Sequence, residues 1–234
     1  FSVCLADANL LITCPTIATL EYMKSLKIVN EDKIKLLYDP IIEVKNINYK
    51  KNKKKDTHHS NYFLAAGRLT KQKNFLFLCK AFNQLIKKYS DTKLLIAGTG
   101  EDREKILNYI ERNKLEKNIF LINHVENIFP LMKNAKGFIL SSLWEDPGFV
   151  IIEAAFCRTP VFSSNCITGP KEIIKNNFNG FLYDSNNLES FLENFETFRK
   201  NKNNSQILLN NLKYTKKFTL FNHYISFKKI IPTY

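Results

Sequence analysis

The chain has 234 residues, of which 44% are hydrophobic and 24% are charged, and its formal net charge is +13. This composition is ordinary for a globular protein and excludes wholesale disorder. The positive charge favours acidic partners such as nucleic acid, an anionic membrane surface or phosphorylated ligands. Compositional drift is an equal alternative, since lysine greatly outnumbers arginine. No Arg-rich or aromatic-interleaved stretch indicates nucleic-acid binding.

The cysteines and histidines give no metal or redox signature. No two cysteines have the spacing of a zinc knuckle or a redox motif, and their number is odd; they are Cys4, Cys14, Cys79, Cys157 and Cys166. A reducing, cytoplasmic compartment is therefore predicted. The histidines form no HExxH or similar pattern, so no metal site is expected; they are His58, His59, His124 and His223.

Residues 1–20 are apolar enough to be compared with a signal peptide or a membrane span. They have no basic leader, contain Asp7 and are interrupted by Pro15. A buried strand at 8–14 followed by a helix at 16–27 is predicted instead. The first residue is phenylalanine and the chain opens in the middle of this pattern, as expected of a piece of a longer protein.

Two further segments precede the main body of the chain. A strand is predicted at 33–41, where Asp39-Pro40 ends it. Residues 45–61 then contain six lysines, few apolar residues and no periodicity. This composition predicts an exposed linker or loop. Contact with anionic lipid headgroups is the more specific alternative, because a negative membrane surface attracts clustered lysines.

From residue 62 onwards short apolar runs alternate with segments of helical periodicity. Strands are predicted at 62–67, 93–98, 118–122, 136–142, 159–164 and 180–184. Helices are predicted at 74–90, 101–113, 128–135, 148–156 and 170–175, and the tail from about residue 187 is also helical. This alternation predicts an α/β fold with a doubly wound, Rossmann-like parallel sheet. Ligands of such sheets bind at the carboxyl ends of the strands.

The loops after the first two of these strands differ in what they predict. Gly67–Asn74 (GRLTKQKN) has a glycine for the turn and two cations, Arg68 and Lys73, ahead of a helix. Such cations favour an anion site, with exposed surface charge as the alternative. Gly98–Arg103 (GTGEDR) has only part of a dinucleotide-binding fingerprint, and no carboxylate ends the following strand. Binding of NAD is therefore not expected.

The stretch WEDPGFVIIEA, residues 144–154, follows the fourth of these strands. Pro147-Gly148 suits a turn into a helix, and Asp146 is a candidate cap for it. Glu145 would lie at the mouth of the helix and Glu153 more than a turn inside it, among apolar residues. Because an unpaired buried carboxylate is costly, Glu153 should pair with a cation or accept hydrogen bonds from ligand hydroxyls.

The order of these motifs resembles the nucleotide-binding half of the retaining glycosyltransferases of family 4, which have the GT-B fold. The similar segments are GRLTKQKN, LLIAGTGEDREKI and the long stretch from NIFLINHVENIF to NNFNGFLY. Residues 8–41 resemble the end of that family's first domain, and the terminal KYTKKFTLFNHYISFKKII resembles a helix that crosses back to it. The predicted divisions are this first-domain remnant at 1–44, the linker or loop at 45–61, a nucleotide-sugar-binding domain at 62–210 and the returning helix at 211–234.

The resemblance implies a role for each matching residue. Arg68 and Lys73 match the cations that hold the donor diphosphate. Glu145 matches a glutamate that approaches the donor sugar, and with Arg68 and Lys73 it makes up the expected catalytic set. Glu153 matches a glutamate that accepts hydrogen bonds from the ribose. The other expected donor-binding residues are Gly67, His124 and Val125, the last two with their backbone near the nucleobase, and Gly148, Phe149 and Val150 near the sugar and phosphate.

Two positions depart from the family pattern. Asn123 stands where a glycine is usual, which affects the loop near the base. Gly169-Pro170 stands where the family usually has Gly-Gly. This variant resembles the loop of those members that transfer hexoses or N-acetylhexosamines from UDP.

The resemblance implies a metal-independent enzyme without a cofactor that transfers a sugar from a nucleotide-diphosphate donor, expected to be a UDP-sugar, with retention. The expected acceptor is a glycan or a lipid-linked glycan in cell-surface polysaccharide or lipopolysaccharide synthesis. The protein would be cytoplasmic, with peripheral contact to an anionic membrane. The alternatives are an incomplete half-enzyme or nucleotide-binding module, and a sugar-nucleotide epimerase of the same fold.

Overall fold

The computed structural model describes residues 10–52 and 60–231. A small sheet comes first, in which β1 (Ile12–Cys14) pairs in parallel with β2 (Ile34–Leu36). Helix α1 (Ile17–Ser25) connects them, and the Thr16 hydroxyl caps it by accepting a hydrogen bond from the Thr19 N–H at 3.0 Å. Both strands are shorter than predicted, and residues 8 and 9 of the first prediction lie outside the described part.

The main sheet has six parallel strands in the order β5-β4-β3-β6-β7-β8. The prediction of a Rossmann-like parallel sheet is therefore confirmed, and each strand lies within two residues of its expected bounds. The strands are β3 (Tyr62–Ala66), β4 (Lys93–Ala97), β5 (Ile119–Ile122), β6 (Gly137–Leu140), β7 (Val161–Ser164) and β8 (Phe181–Tyr183).

Helices cover both faces of this sheet, and those that follow strands β3 to β7 agree with the predicted segments. They are α3 (Phe75–Lys88), α4 (Arg103–Arg112), α5 (Phe129–Asn134), α6 (Phe149–Phe156) and α7 (Pro170–Ile173). Successive residues of β3 enter two separate cores: Phe63 packs with one and Leu64 with the other. Burial on both faces explains why the strand sequences are continuously apolar.

Residues 45–52 correct the prediction of a linker or loop at 45–61. They belong to helix α2 (Val44–Asn52), and residues 53–59 lie outside the described part. Ile47 is buried, and α2 packs beside α5. The Asn127 side chain donates a hydrogen bond to the Lys50 carbonyl at 3.0 Å, so contacts from distant residues hold a helix whose own sequence lacks apolar periodicity.

The remainder of the described chain is helical, as expected. It comprises α8 (Leu188–Asn201), α9 (Ser205–Tyr214), a 3-10 turn (Thr215–Phe218) and α10 (Leu220–Ile230). A bridge between Ile42 and Thr219 joins the crossover segment to this tail. No helix in the described ranges is long and apolar enough to cross a membrane. The division into domains stays a prediction.

Candidate functional site

The chain reverses direction across the sheet between β3 and β6. It runs outward from β3 through β4 to β5, returns to pair β6 with β3, and continues outward through β7 to β8. Such a switch point opens a crevice at the carboxyl ends of the two central strands. The loop after β3 and the loop after β6 both enter it, so the geometry of these two loops defines the candidate site.

Hydrogen bonds to three backbone carbonyl groups join these loops. The Leu143 N–H donates to the Gln72 carbonyl at 2.8 Å, and the Gln72 side-chain amide donates to the Trp144 carbonyl at 2.9 Å. The Ser141 hydroxyl donates to the Lys73 carbonyl at 2.7 Å. Residues more than 65 positions apart in the chain are therefore held in one register, and the side chain of Lys73 is aimed at the second loop.

The Lys73 ammonium lies 2.5 Å from Oε1 of Glu145, and the Ser142 hydroxyl donates to the same oxygen at 2.5 Å. The Lys73 side chain is 14% exposed and that of Glu145 is 6% exposed, so this ion pair is largely removed from water. Burying either charge alone would be costly, and the pair with its serine makes the burial tolerable. The sequence predicted both charged residues but not their pairing, and it missed Ser142.

A cavity of about 280 Å³ lies at the carboxyl ends of β3 and β4. Five of the residues predicted for the donor line it, namely Gly67, Arg68, His124, Val125 and Val150. The other lining residues were not predicted, and they are Ala66, Ala97, Gly98, Thr99, Ile128 and Met132. The wall is mostly apolar with a cation at its edge, a composition common in small-molecule sites.

Helix α6 begins at this crevice with unused donors. Its N-cap is Gly148, which has φ +95°, a backbone conformation that favours glycine. Among the residues that the structure describes, the N–H groups of Gly148, Phe149 and Val150 have no hydrogen-bond acceptor. Asp146 does not cap the helix as predicted; it accepts from the Thr19 hydroxyl at 3.3 Å. The free N–H groups and the helix dipole make this end of α6 suitable for an anion.

Glu153 lies on α6 three residues after the cavity-lining Val150, and hence on a neighbouring part of the same helix face. Its carboxylate makes no hydrogen bond or ion pair with any residue in 10–52 or 60–231. Burial raises its pKa from 4.5 to about 7, and the charge of Lys50 on α2 partly opposes this rise. Glu153 is intermediate in exposure rather than fully buried. The predicted pairing with a cation is not found among the described residues, and the alternative, hydrogen bonds from ligand hydroxyls, stays a prediction.

The raised pKa of Glu153 predicts a pH-dependent stability for the ligand-free protein. A carboxyl whose pKa is raised on folding contributes stability below its unfolded pKa of 4.5, and this is lost as pH rises to about 7. Between pH 4.5 and about pH 7 the wild-type protein should lose up to about 3 kcal/mol of unfolding free energy through this group, and Glu153→Gln should not show this loss. Urea unfolding at pH 4.5 and pH 8 should therefore show the variant gaining on wild type only at the higher pH.

The matched control is Glu193→Gln, since Glu193 is exposed on α8. Its stability should follow the wild-type pH curve. Curves for Glu153→Gln and wild type that stay parallel between pH 4.5 and pH 8 would show that the pKa of Glu153 is not raised in the folded protein.

A further loop closes the crevice beside β7. Gly169 has φ +77°, and a Cβ on it would lie 1.9 Å from the Pro147 carbonyl oxygen, so the two loops touch backbone to backbone. Glu172, in the short helix that follows, accepts hydrogen bonds from the N–H groups of Ile17 and Ala18 at 2.8 and 2.9 Å. Nothing in the sequence around Glu172 indicates that it bonds the first turn of α1.

No three His, Cys, Asp or Glu side chains cluster as metal ligands in the part of the chain that is described. The four cysteines in this part are free and buried, and they are Cys14, Cys79, Cys157 and Cys166. Cys4, His58 and His59 lie outside it.

A parallel α/β sheet with a crevice at its switch point defines the doubly wound class of domain, whose ligands bind at the carboxyl ends of the strands. The sequence model of the family Glycosyl transferases group 1 matches residues 45–217, which is most of the chain. The chain belongs to this family.

Individual relatives agree with this assignment. An uncharacterized glycosyltransferase of Haemophilus influenzae is 30% identical over 190 residues, covering 81% of this chain and 53% of the relative. The Escherichia coli UDP-Gal:alpha-D-GlcNAc-diphosphoundecaprenol alpha-1,3-galactosyltransferase is 34% identical over 137 residues, covering 57% of this chain and 35% of the relative. The chain thus spans about half or less of the length of these relatives.

Solved structures show the same fold. The crystal structure of TarM superposes with a TM-score of 0.79 at 18% identity, covering 95% of this chain and 43% of TarM. Anabaena HepE in complex with UDP and glucose superposes with a TM-score of 0.75 at 18% identity, covering 94% of this chain and 62% of HepE.

Proposed function

We propose that this chain is the nucleotide-sugar-binding part of a retaining glycosyltransferase that takes its sugar from a UDP-sugar. The observation that carries the proposal is the buried Lys73–Glu145 pair beside the unbonded N–H groups of α6. These groups border a crevice whose cavity is edged by Arg68. Cations and free N–H groups suit a diphosphate, and a carboxylate nearby suits the hydroxyls of a sugar.

The chemistry of sugar transfer fits these groups. The bond between the anomeric carbon and the diphosphate oxygen breaks, and negative charge develops on the leaving diphosphate. Arg68, Lys73 and the α6 N–H groups would stabilise that charge from fixed positions, so that no metal ion is needed. One of the three ammonium hydrogens of Lys73 is directed to Glu145, which leaves two for phosphate oxygens.

Glu145 would orient the donor sugar rather than attack it. Lys73 and Ser142 both bond its Oε1 and fix the side chain, which leaves Oε2 to accept a sugar hydroxyl. Positive charge that develops on the sugar ring would also be stabilised by this carboxylate. We assign Glu145, Arg68 and Lys73 as the catalytic residues on this basis.

The nucleoside would occupy the cavity. Apolar side chains of Val125, Ile128 and Met132 offer a surface for the base, with the backbone at His124 and Val125 beside it. Glu153 would accept hydrogen bonds from the ribose hydroxyls, which would satisfy a carboxylate that has no partner in the ligand-free protein. Nucleoside binding would then favour the ionised form of Glu153.

The acceptor class comes from the relatives. One is named for a diphosphoundecaprenol-linked acceptor, and a poly(glycerol-phosphate) alpha-glucosyltransferase of Bacillus subtilis is 30% identical over 140 residues. We infer a lipid-linked or phosphate-containing glycan acceptor and a role in cell-surface polysaccharide synthesis. The net charge of +13 supports peripheral contact with the cytoplasmic face of an anionic membrane.

Calorimetric titration of UDP tests the site. Arg68→Ala and Glu153→Ala should each weaken binding about tenfold or more, since a charge-assisted hydrogen bond contributes roughly 1.5 to 3 kcal/mol. Arg112→Ala, an exposed arginine on α4, is the control and should bind UDP as wild type does. Wild-type affinity in both site variants would refute the assignment.

Assays with the sugar donor separate the competing functions. A thermal-shift screen with UDP-, GDP- and ADP-sugars identifies the base. A module without transferase activity would bind the donor and leave it unchanged when acceptor is added. An epimerase would convert a UDP-sugar with no acceptor present.

A further inference from the structure

A second cavity, of about 560 Å³, lies outside the donor crevice. It is formed where Tyr38 of the crossover segment meets the 3-10 turn and α10. Four of its nine lining residues are lysines and two are tyrosines. We call it the lysine pocket, and its residues are Tyr38, Lys213, Tyr214, Lys216, Lys217, Asn222, Ile225, Ser226 and Lys229.

Lys217 is the central cation of the lysine pocket. Its ammonium lies 4.4 Å from the ring centroid of Tyr38 and 5.0 Å from that of Phe218. Tyr214 is a third ring at 5.8 Å. Partial burial lowers the pKa of Lys217, while the charge of Glu172 raises it and that of Lys175 lowers it. The aromatic rings therefore position this cation, but they carry no negative charge that would balance it.

Among the described residues, those that line the pocket include no acidic side chain. In the described part of the chain, none of its four lysines forms an ion pair with a carboxylate. Glu172 is the acid whose charge acts on Lys217, and both of its oxygens already accept hydrogen bonds from the N-terminus of α1. Lys175 adds another cation, 5.7 Å from the Tyr214 ring. An excess of cations over acids around a concave surface raises the local concentration of anions.

We propose that the lysine pocket is a second anion site that binds a phosphate or diphosphate group. Several ammonium groups around one cavity can donate hydrogen bonds to several oxygens of one ligand at once. A phosphate or diphosphate offers more such oxygens than a carboxylate does. The assignment of the pocket rests on its own geometry. It also deepens the proposed function, because an acceptor that carries phosphate would need cations separate from those holding the donor.

Titration of pyrophosphate into the UDP-saturated protein tests this proposal, because UDP blocks the donor crevice. Wild type should bind pyrophosphate, and Lys217→Met should weaken it about tenfold, the equivalent of one charge-assisted hydrogen bond. Methionine keeps the aliphatic contacts with the rings and removes only the charge. Lys117→Met removes the same charge at an exposed position that is not part of the lysine pocket, and it should leave pyrophosphate affinity unchanged.

The outcomes separate this site from the donor site. Lys217→Met should leave UDP affinity unchanged, whereas Arg68→Ala should weaken UDP and leave the pyrophosphate site intact. No pyrophosphate binding by UDP-saturated wild type, or equal binding by Lys217→Met, would overturn the proposal. Farnesyl diphosphate and vesicles of phosphatidylcholine with phosphatidylglycerol then distinguish a lipid-linked diphosphate from a phospholipid headgroup as the source of the anion.

Discussion

Lys73→Met should destabilise the protein by about 3 to 5 kcal/mol, the usual cost of leaving one member of a buried ion pair without its partner. In this variant Glu145, with a side chain that is 6% exposed, would keep only the hydroxyl of Ser142. The free energy of unfolding from urea titration measures the effect. UDP binding should fall as well, because the variant also lacks a cation proposed to hold the diphosphate.

A double variant distinguishes the pair from general damage to the loop. Lys73→Met combined with Glu145→Gln removes both charges and should recover a large part of the lost stability, while UDP binding stays weak. Lys80→Met on the exposed side of α3 is the matched control and should change stability little. If the double variant were as unstable as the sum of the two single variants, the two charges would not be coupled.

Gly98→Ala should cost about 3 kcal/mol of stability, at the upper end of typical overpacking effects. A Cβ on Gly98 would lie 1.9 Å from the Gly67 carbonyl oxygen and 3.0 Å from its carbon. Both atoms belong to backbone, so the loops after β3 and β4 would have to separate. Because Gly67 and Gly98 both line the cavity, UDP affinity should fall together with stability.

Gly180→Ala provides the comparison for this variant. The nearest atom to a Cβ at Gly180 is a methyl of the Ile174 side chain at 3.0 Å, so a side chain rather than backbone has to shift, and by much less than at Gly98. Gly180 does not line the cavity. A small loss of stability with unchanged UDP affinity is expected. Equal stability and UDP affinity for Gly98→Ala and wild type would show that the two loops are not in the close contact described.

The sheet could be predicted because its strands are buried on both faces. Runs such as YFLAAG and KLLIAG are therefore continuously apolar, and each ends in glycine at the crevice. Helix α2 could not be predicted, because KNINYKKN has no apolar periodicity and depends on α5 for its contacts. The sequence of α2 alone does not indicate that it packs against α5, about 80 residues further along the chain.

The candidate site was predictable to the extent that strand ends determine it. Arg68 follows β3 closely, so the rule for parallel sheets is sufficient to place it at the cavity, whereas the expectation for His124 and Val125 depended on the family resemblance. The pairing of Lys73 with Glu145 joins residues 72 positions apart, and only the hydrogen bonds between their loops reveal it. The influence of Lys50 on Glu153 depends on the helix that was mistaken for a loop.

The hydrogen bonds of Glu172 connect two parts of the molecule that the sequence presents as separate. Its carboxylate holds the first turn of α1, and its own short helix begins one residue after Gly169, the residue that touches Pro147. Any displacement of the Gly169 loop must therefore either carry α1 along or break two charge-assisted hydrogen bonds. The Gly169 loop and helix α1 are therefore coupled through the hydrogen bonds of Glu172.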